Sequence, residues 1–175
     1  MKISKLLLLP VIAFIISSCS SVRVTTDYDT QVDFNQYKTF AFYKKGIDKA
    51  PISDLDKKRI MRAVEAELIA KGMQKSANPD VLVSLFTKSR EKININDNRF
   101  NDYWYPWYYN PSTLTVTQHT EGTLFIDLLD AKRKELVWQG IGTGALSISS
   151  VEKKEARVKE FVNKIMAKYP VGINK

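Results

Sequence analysis

His119 is the sole histidine of this chain and Cys19 its sole cysteine. A transition-metal site needs several such ligands converging on one point. No metal site is therefore expected, and His119 reads as a surface residue near a strand end. Asp127 and Asp130 are spaced like a pair of carboxylates for acid–base work. Asp130, however, suits a turn, and Asp127 suits the solvent face of a strand. Serines are plentiful, but the chain holds no Gly-x-Ser-x-Gly elbow to present one as a nucleophile. Gly140-Ile141-Gly142-Thr143-Gly144 has the glycine density of a phosphate-cradling loop. It lacks the Lys-Ser/Thr of one such loop and the strand–turn–helix setting of the other. Alternating glycines in a strand more often mark bulges or close approach of another backbone. No catalytic residue and no enzymatic activity are expected.

The cysteine is placed for a different chemistry. Lys2 and Lys5 form a short positive head, an apolar run spans Leu6 to Ile16, and Ser17 and Ser18 precede Cys19. The run is too short to cross a bilayer comfortably, which takes about 20 residues. It has the layout of a secretion signal. Ile16-Ser17-Ser18-Cys19 resembles the lipobox of bacterial lipoproteins, which implies cleavage before Cys19, a diacylglycerol on its thiol and an acyl chain on its nitrogen. Residues 1–18 are thus expected to be a signal peptide and residues 19–175 one domain. About 157 residues follow the cut, enough for a hydrophobic core. They hold no further cysteine and so no disulfide. No cofactor beyond the attached acyl chains is expected. Ser20 is not the aspartate that retains some lipoproteins at the inner membrane, and Ser20-Ser21-Val22-Arg23 carries no acidic run of the surface-export kind. The expected location is the outer membrane, facing the periplasm.

A third feature is aromatic. Phe100, Tyr103, Trp104, Tyr105, Trp107, Tyr108 and Tyr109 crowd a stretch bounded by asparagines. One reading is a lid folded over a sheet. The other is a contact surface for a protein, a sugar or a lipid headgroup. Base stacking would want interleaved cations, and Arg99 is opposed by Asp97 and Asp102. The formal charge of +8 is spread over faces that read as solvated rather than gathered in one run, so no nucleic-acid partner is expected.

The elements that must position these residues follow from periodicity. Val22, Val24, Thr26 and Tyr28 alternate with polar residues as a half-buried strand does. Tyr37 to Tyr43 reads as a second strand and Lys44 to Pro51 as a loop. Ser53 is an N-cap with Asp54 and Asp56 in the first turn. Ile60, Met61, Val64 and Leu68 make one apolar helix face, and Gly72 suits a left-handed stop. Val81 to Ser89 reads as a central strand and Ile93 to Pro111 as a polar loop. Thr113 to His119 is a further strand. Gly122 to Gly140 reads as a hairpin turning at Asp130–Lys134, its second arm running on to Ile148. Ser149 and Glu152 fit a capping box. Val158, Phe161, Val162, Ile165 and Tyr169 give a last apolar helix face, stopped by Pro170. The fold class expected is α+β: a mostly antiparallel sheet of about five or six strands with two helices packed on one face, a two-layer sandwich.

Several phrases are also family-like in their order. They are Tyr28-Asp29, Asp33-Phe34, Tyr37-Lys38-Thr39-Phe40, Lys71-Gly72-Met73 and Pro79-Asp80-Val81-Leu82-Val83, then Gly122 to Ala131 with Val137-Trp138-Gln139-Gly140. Together they resemble the DUF4136 family of bacterial envelope lipoproteins. The resemblance implies a compact α+β domain behind a lipobox, and no activity. The expected role is a noncatalytic binding or scaffolding module that uses residues 100–109 toward an envelope protein. The alternatives are a binder of envelope glycan or lipid, or an accessory factor in outer-membrane assembly. Partner identity and oligomeric state stay open at this stage.

Overall fold

A computed structural model describes residues 22–96, 115–146 and 150–169, with the backbone alone for 92–96 and 115–119. Six strands form one mixed sheet, and two long helices pack on one of its faces. The strands are β1 (Val22–Tyr28), β2 (Thr39–Phe42), β3 (Gln74–Lys75), β4 (Val81–Asn96), β5 (Thr115–Asp130) and β6 (Leu136–Ala145). The helices are α1 (Lys44–Ile47), α2 (Asp54–Ala70) and α3 (Val151–Met166), with a 3-10 turn at Phe34–Gln36. The sheet order is β1-β6-β5-β4-β2-β3. β1, β6, β5 and β4 pair antiparallel, whereas β2 joins β4 and β3 in parallel. A parallel neighbour needs a long crossover, which α2 supplies between β2 and β4.

The two helix faces read from the sequence are the ones buried. Ile60, Val64 and Leu68 of α2, and Phe161, Val162 and Ile165 of α3, share one core with Val83, Leu85, Leu124, Ile126, Leu128 and Trp138. Ser53 Oγ caps α2 by accepting from the Asp56 N–H. Its other end closes as a Schellman motif: Met73 N donates to Leu68 O and Gly72 N to Ile69 O, with Gly72 at φ +85°. α3 is capped by Ser150, one residue later than the capping-box reading, through Lys153 N. It ends at Met166, and Pro170 lies outside the described residues.

Five boundaries differ from the sequence reading. Tyr37 and Lys38 stay out of β2 because their groups are used elsewhere. The Tyr37 N–H donates to the Phe34 carbonyl and the Lys38 N–H to the Asp80 carboxylate. Lys44–Ile47 is a helical turn rather than loop, with Ile47 buried and Gly46 set against the Ser84 side chain. β4 does not stop at Ser89 but continues to Asn96, because β5 pairs with it residue for residue as far as Asn96 opposite Thr115. Likewise β5 is one strand rather than two. Glu121 looks like a break by polarity, yet Arg23 and Arg90 hold its carboxylate on either side, at 2.8 and 2.6 Å. The return arm ends at Ala145, short of Ile148.

Candidate functional site

The glycine stretch that has the density of a phosphate loop is a packing device. Gly140 and Gly142 of β6 face α3. A Cβ on Gly142 would lie 2.7 Å from Ile165 Cδ1, and one on Gly140 would strike Ile165 Cγ2 and the Trp138 ring. Missing side chains here let the helix settle onto the strand. Asp127 and Asp130 do not converge. Asp130 closes the β5–β6 turn, its Oδ1 accepting from Lys132 N and Arg133 N and its Oδ2 from the Tyr37 hydroxyl. Those backbone donors, led by Arg133 N, hold its carboxyl below the usual range despite burial. Asp127 lies on the sheet face away from the helices, half-buried rather than solvated. Burial raises its pKa, opposed by the Gln139 amide that donates to it at 2.8 Å. His119 sits in β5 opposite Lys92. Among the described residues no three His, Cys, Asp or Glu side chains gather to hold a metal. Cys19 and the aromatic residues Phe100, Tyr103, Trp104, Tyr105, Trp107, Tyr108 and Tyr109 lie outside the described residues.

What the sequence reading missed is a cavity. Its volume is about 310 Å³, and it opens at one end of the sandwich, between the first turns of α2 and α3 and the strands β4 and β5. Ile52, Ile60, Leu124, Leu146, Val158 and Phe161 make most of its wall. Thr87 and Gly122 form part of its sheet side. Thr87 is where the helix-facing run Val81, Val83, Leu85 turns from large apolar to hydroxyl, and Gly122 is where β5 loses its side chain. Those two positions were the available signal, and both looked like ordinary strand irregularities. Thr87 Oγ1 is buried and has no hydrogen-bond partner. The mouth carries Asp56, Lys154 and Arg157. Lys154 Nζ meets Asp56 at 3.2 Å, and Arg157 donates to the carbonyl of Ala145 and to Glu160. Burial works to raise the Asp56 pKa, but hydrogen bonds from Ser53, Lys154 and Arg59 outweigh it and hold the carboxyl low.

The opposite end is closed. Trp138 and Tyr169 meet edge to face at 5.3 Å, and Phe34 packs against Tyr169, Tyr37 and Tyr28 at 5.9 to 6.2 Å. Burial pushes the Tyr169 hydroxyl up to about 12. Asp80 ties β2 to β4 there, its Oδ2 accepting from Lys38 N, Thr39 N and Thr39 Oγ1. The Lys38 N–H is the largest of the influences that hold the Asp80 carboxyl low. Tyr28, Phe34, Tyr37, Thr39, Asp80, Asp130 and Trp138 all belong to the phrases that gave the family resemblance.

A family model described as "Domain of unknown function (DUF4136)" matches residues 24–171. The chain belongs to the DUF4136 family. The match begins at the third residue of β1 and takes in some part of every element through α3. No curated protein matches. Among solved structures, a PDZ domain protein from Parabacteroides distasonis is similar, with a TM-score of 0.54 and 19% identity. That match covers 88% of this chain but 37% of the other, so the DUF4136 domain spans little over a third of that protein's length. A PelC dodecamer from Paraburkholderia phytofirmans matches at a TM-score of 0.44 and 13% identity, over 83% of this chain and 95% of that one. A minor lipoprotein from Acinetobacter baumannii matches at 0.40 and 10%, over 75% and 91%. The first of these likenesses concerns the fold alone.

Proposed function

We propose that this DUF4136 protein is a noncatalytic binding module of the bacterial envelope, tethered by acyl chains on Cys19 at the outer membrane and facing the periplasm. Its contact surface is the aromatic stretch 100–109, and its partner is an envelope protein. One observation supports the reading above the others, and it is the sheet register. Val22, three residues after Cys19, pairs with Gly144. Gly144 pairs with Gly122, and Gly122 with Ser89. From that level β4 runs on for seven residues to Asn96, roughly 23 Å at strand rise. The segment holding the aromatics joins Asn96 to Thr115. Tether and aromatic stretch therefore attach to the same end of the sheet, which supports a contact made on the anchored side. Arg23, Lys88 and Arg90 line that end and suit a nearby anionic headgroup layer. No helix among the described residues is long and apolar enough to cross a membrane.

Photocrosslinkers placed at Asn101 and Asn110 in intact cells test the reading. A discrete envelope-protein adduct, lost when Trp104→Ala and Trp107→Ala are combined while the fold persists, is the expected result. An adduct pattern indifferent to both tryptophans overturns it. Fatty-acid labelling that fails on Cys19 removes the tether.

A further inference from the structure

We propose that β1 is the pairing surface for a second copy of this chain, the two strands running antiparallel about a two-fold axis at Thr25. This goes beyond the contact surface above and does not rest on it. β1 is an outer strand of the sheet, with β6 on one side and no described strand on the other. Tyr28 stands opposite Trp138, and Asp29 N donates to Val137 O. In an antiparallel ladder the residues that exchange bonds with a neighbour alternate. Arg23, Thr25 and Asp27 therefore bond β6, and Val24 and Thr26 turn their N–H and C=O groups outward. Those groups find no partner among the described residues. A strand edge of this kind is a template for another strand.

The side chains select the second copy. Arg23 and Asp27 stand two residues either side of Thr25, on the face away from the helices, and both are exposed. Antiparallel pairing centred on Thr25 sets Arg23 of each copy opposite the partner's Asp27, and Thr25 opposite the partner's Thr25. Val24 then exchanges both its backbone bonds with the partner's Thr26. Opposite charges facing across strands are favourable, and here they repeat about the two-fold. Arg23 Nη2 donates to Glu121 at 2.8 Å, which leaves the guanidinium further donors for a second carboxylate. In the single chain Asp27 shields the edge, its Oδ1 accepting from Tyr28 N at 2.9 Å. On pairing it turns to the partner's Arg23, and Tyr28 N joins the new ladder. β4 makes the contrary case. Its pairing with β2 stops at Val83, and the open run beyond carries Lys88 and Arg90 on one face with no acid beside them on that strand face. A copy laid antiparallel there finds no opposite charge on that face in any register.

An edge of seven residues is less than the surface that stable dimers bury in dilute solution, so pairing is expected at the density of the cell. The full chain carrying Thr25→Cys is expressed in cells and treated with a mild oxidant. Pairing sets the two new thiols directly opposite one another, within disulfide reach. A disulfide-linked homodimer is expected, at least fivefold above the unsubstituted chain. It should also exceed Asp27→Cys fivefold, because those thiols would lie about 13 Å apart along the strands. Added to Thr25→Cys, Thr26→Pro removes an outward N–H that β6 does not use and lowers the yield at least fivefold. Asp27→Lys, an exposed change that leaves the fold intact, lowers it severalfold. Trp104→Ala with Trp107→Ala leaves it unchanged, which separates this pairing from the contact surface. A Thr25→Cys chain that gives no homodimer, or no more than Asp27→Cys gives, overturns the proposal. So does a homodimer indifferent to both Thr26→Pro and Asp27→Lys, or a Thr25→Cys adduct with a different protein in its place.

Discussion

The two ends of the sandwich solve the problem of closing a two-layer core in opposite ways. At one end Tyr28, Phe34, Tyr37, Trp138 and Tyr169 interlock edge to face, and Asp80 and Asp130 collect backbone donors that fix the adjacent turns. At the other the helices begin before the sheet ends, and aliphatic side chains border space instead of one another. Each end holds one buried polar atom without a partner, Trp138 Nε1 and Thr87 Oγ1. Trp138 has 0% of its surface exposed and sits among rings that repay its burial. Thr87 borders the cavity instead.

Substitutions can break that contrast. The largest effect is expected at the closed end. Trp138→Ala should cost about 3–5 kcal/mol in denaturant unfolding, the range for large aromatics deleted from cores. Thr87→Val should cost nothing or stabilise slightly, since it removes an unsatisfied hydroxyl at constant volume. Equal losses at the two positions would mean the open end is as well packed as the closed one.

Asp80→Ala comes next, at about 2 kcal/mol, because it strips a charged acceptor from three donors at once. The folded pKa of Asp80 is lowered from an unperturbed 3.8. Its contribution is therefore present above that value and is lost as pH falls through the lower folded one. The deficit of the variant at pH 7, read from chemical denaturation, should shrink on acidification below about pH 4. A deficit that stays constant with pH would place its origin in packing instead.

Asp127→Asn is expected to give the smallest change and the opposite sign. Burial raises the folded pKa of Asp127 above 3.8, so the wild-type side chain opposes folding once pH exceeds that value. Asparagine keeps an oxygen for the Gln139 amide and removes the charge. A gain of less than about 1 kcal/mol at pH 7, vanishing near pH 3, is the expected outcome of paired melting curves. A loss at pH 7 would show that the carboxylate takes part in contacts that favour its charged form.

Periodicity alone located β1, α2, α3 and the β5–β6 hairpin, because each buries one face and so writes a period of 2 or 3.6 into the chain. It also marked Ser53, Gly72 and the Asp130 turn, where local backbone chemistry restricts the residue. It misjudged Glu121 and the Asn94–Asn96 stretch, since polarity reads as loop until a partner strand or a pair of arginines is known to be there. Parallel joining of β2 to β4 was equally hidden, as nothing in either strand names its neighbour.

The candidate sites divide along the same line. The lipobox-like cysteine and the aromatic stretch are local patterns, visible one residue after the next. The cavity is assembled from six separate segments, and no segment carries a sign of it beyond a threonine and a glycine in otherwise apolar strands. Sequence by itself determined which faces are apolar, because burial acts on each residue through its own side chain. Only the tertiary structure decided where two apolar faces fail to meet, because a void belongs to the distance between elements and to none of them singly.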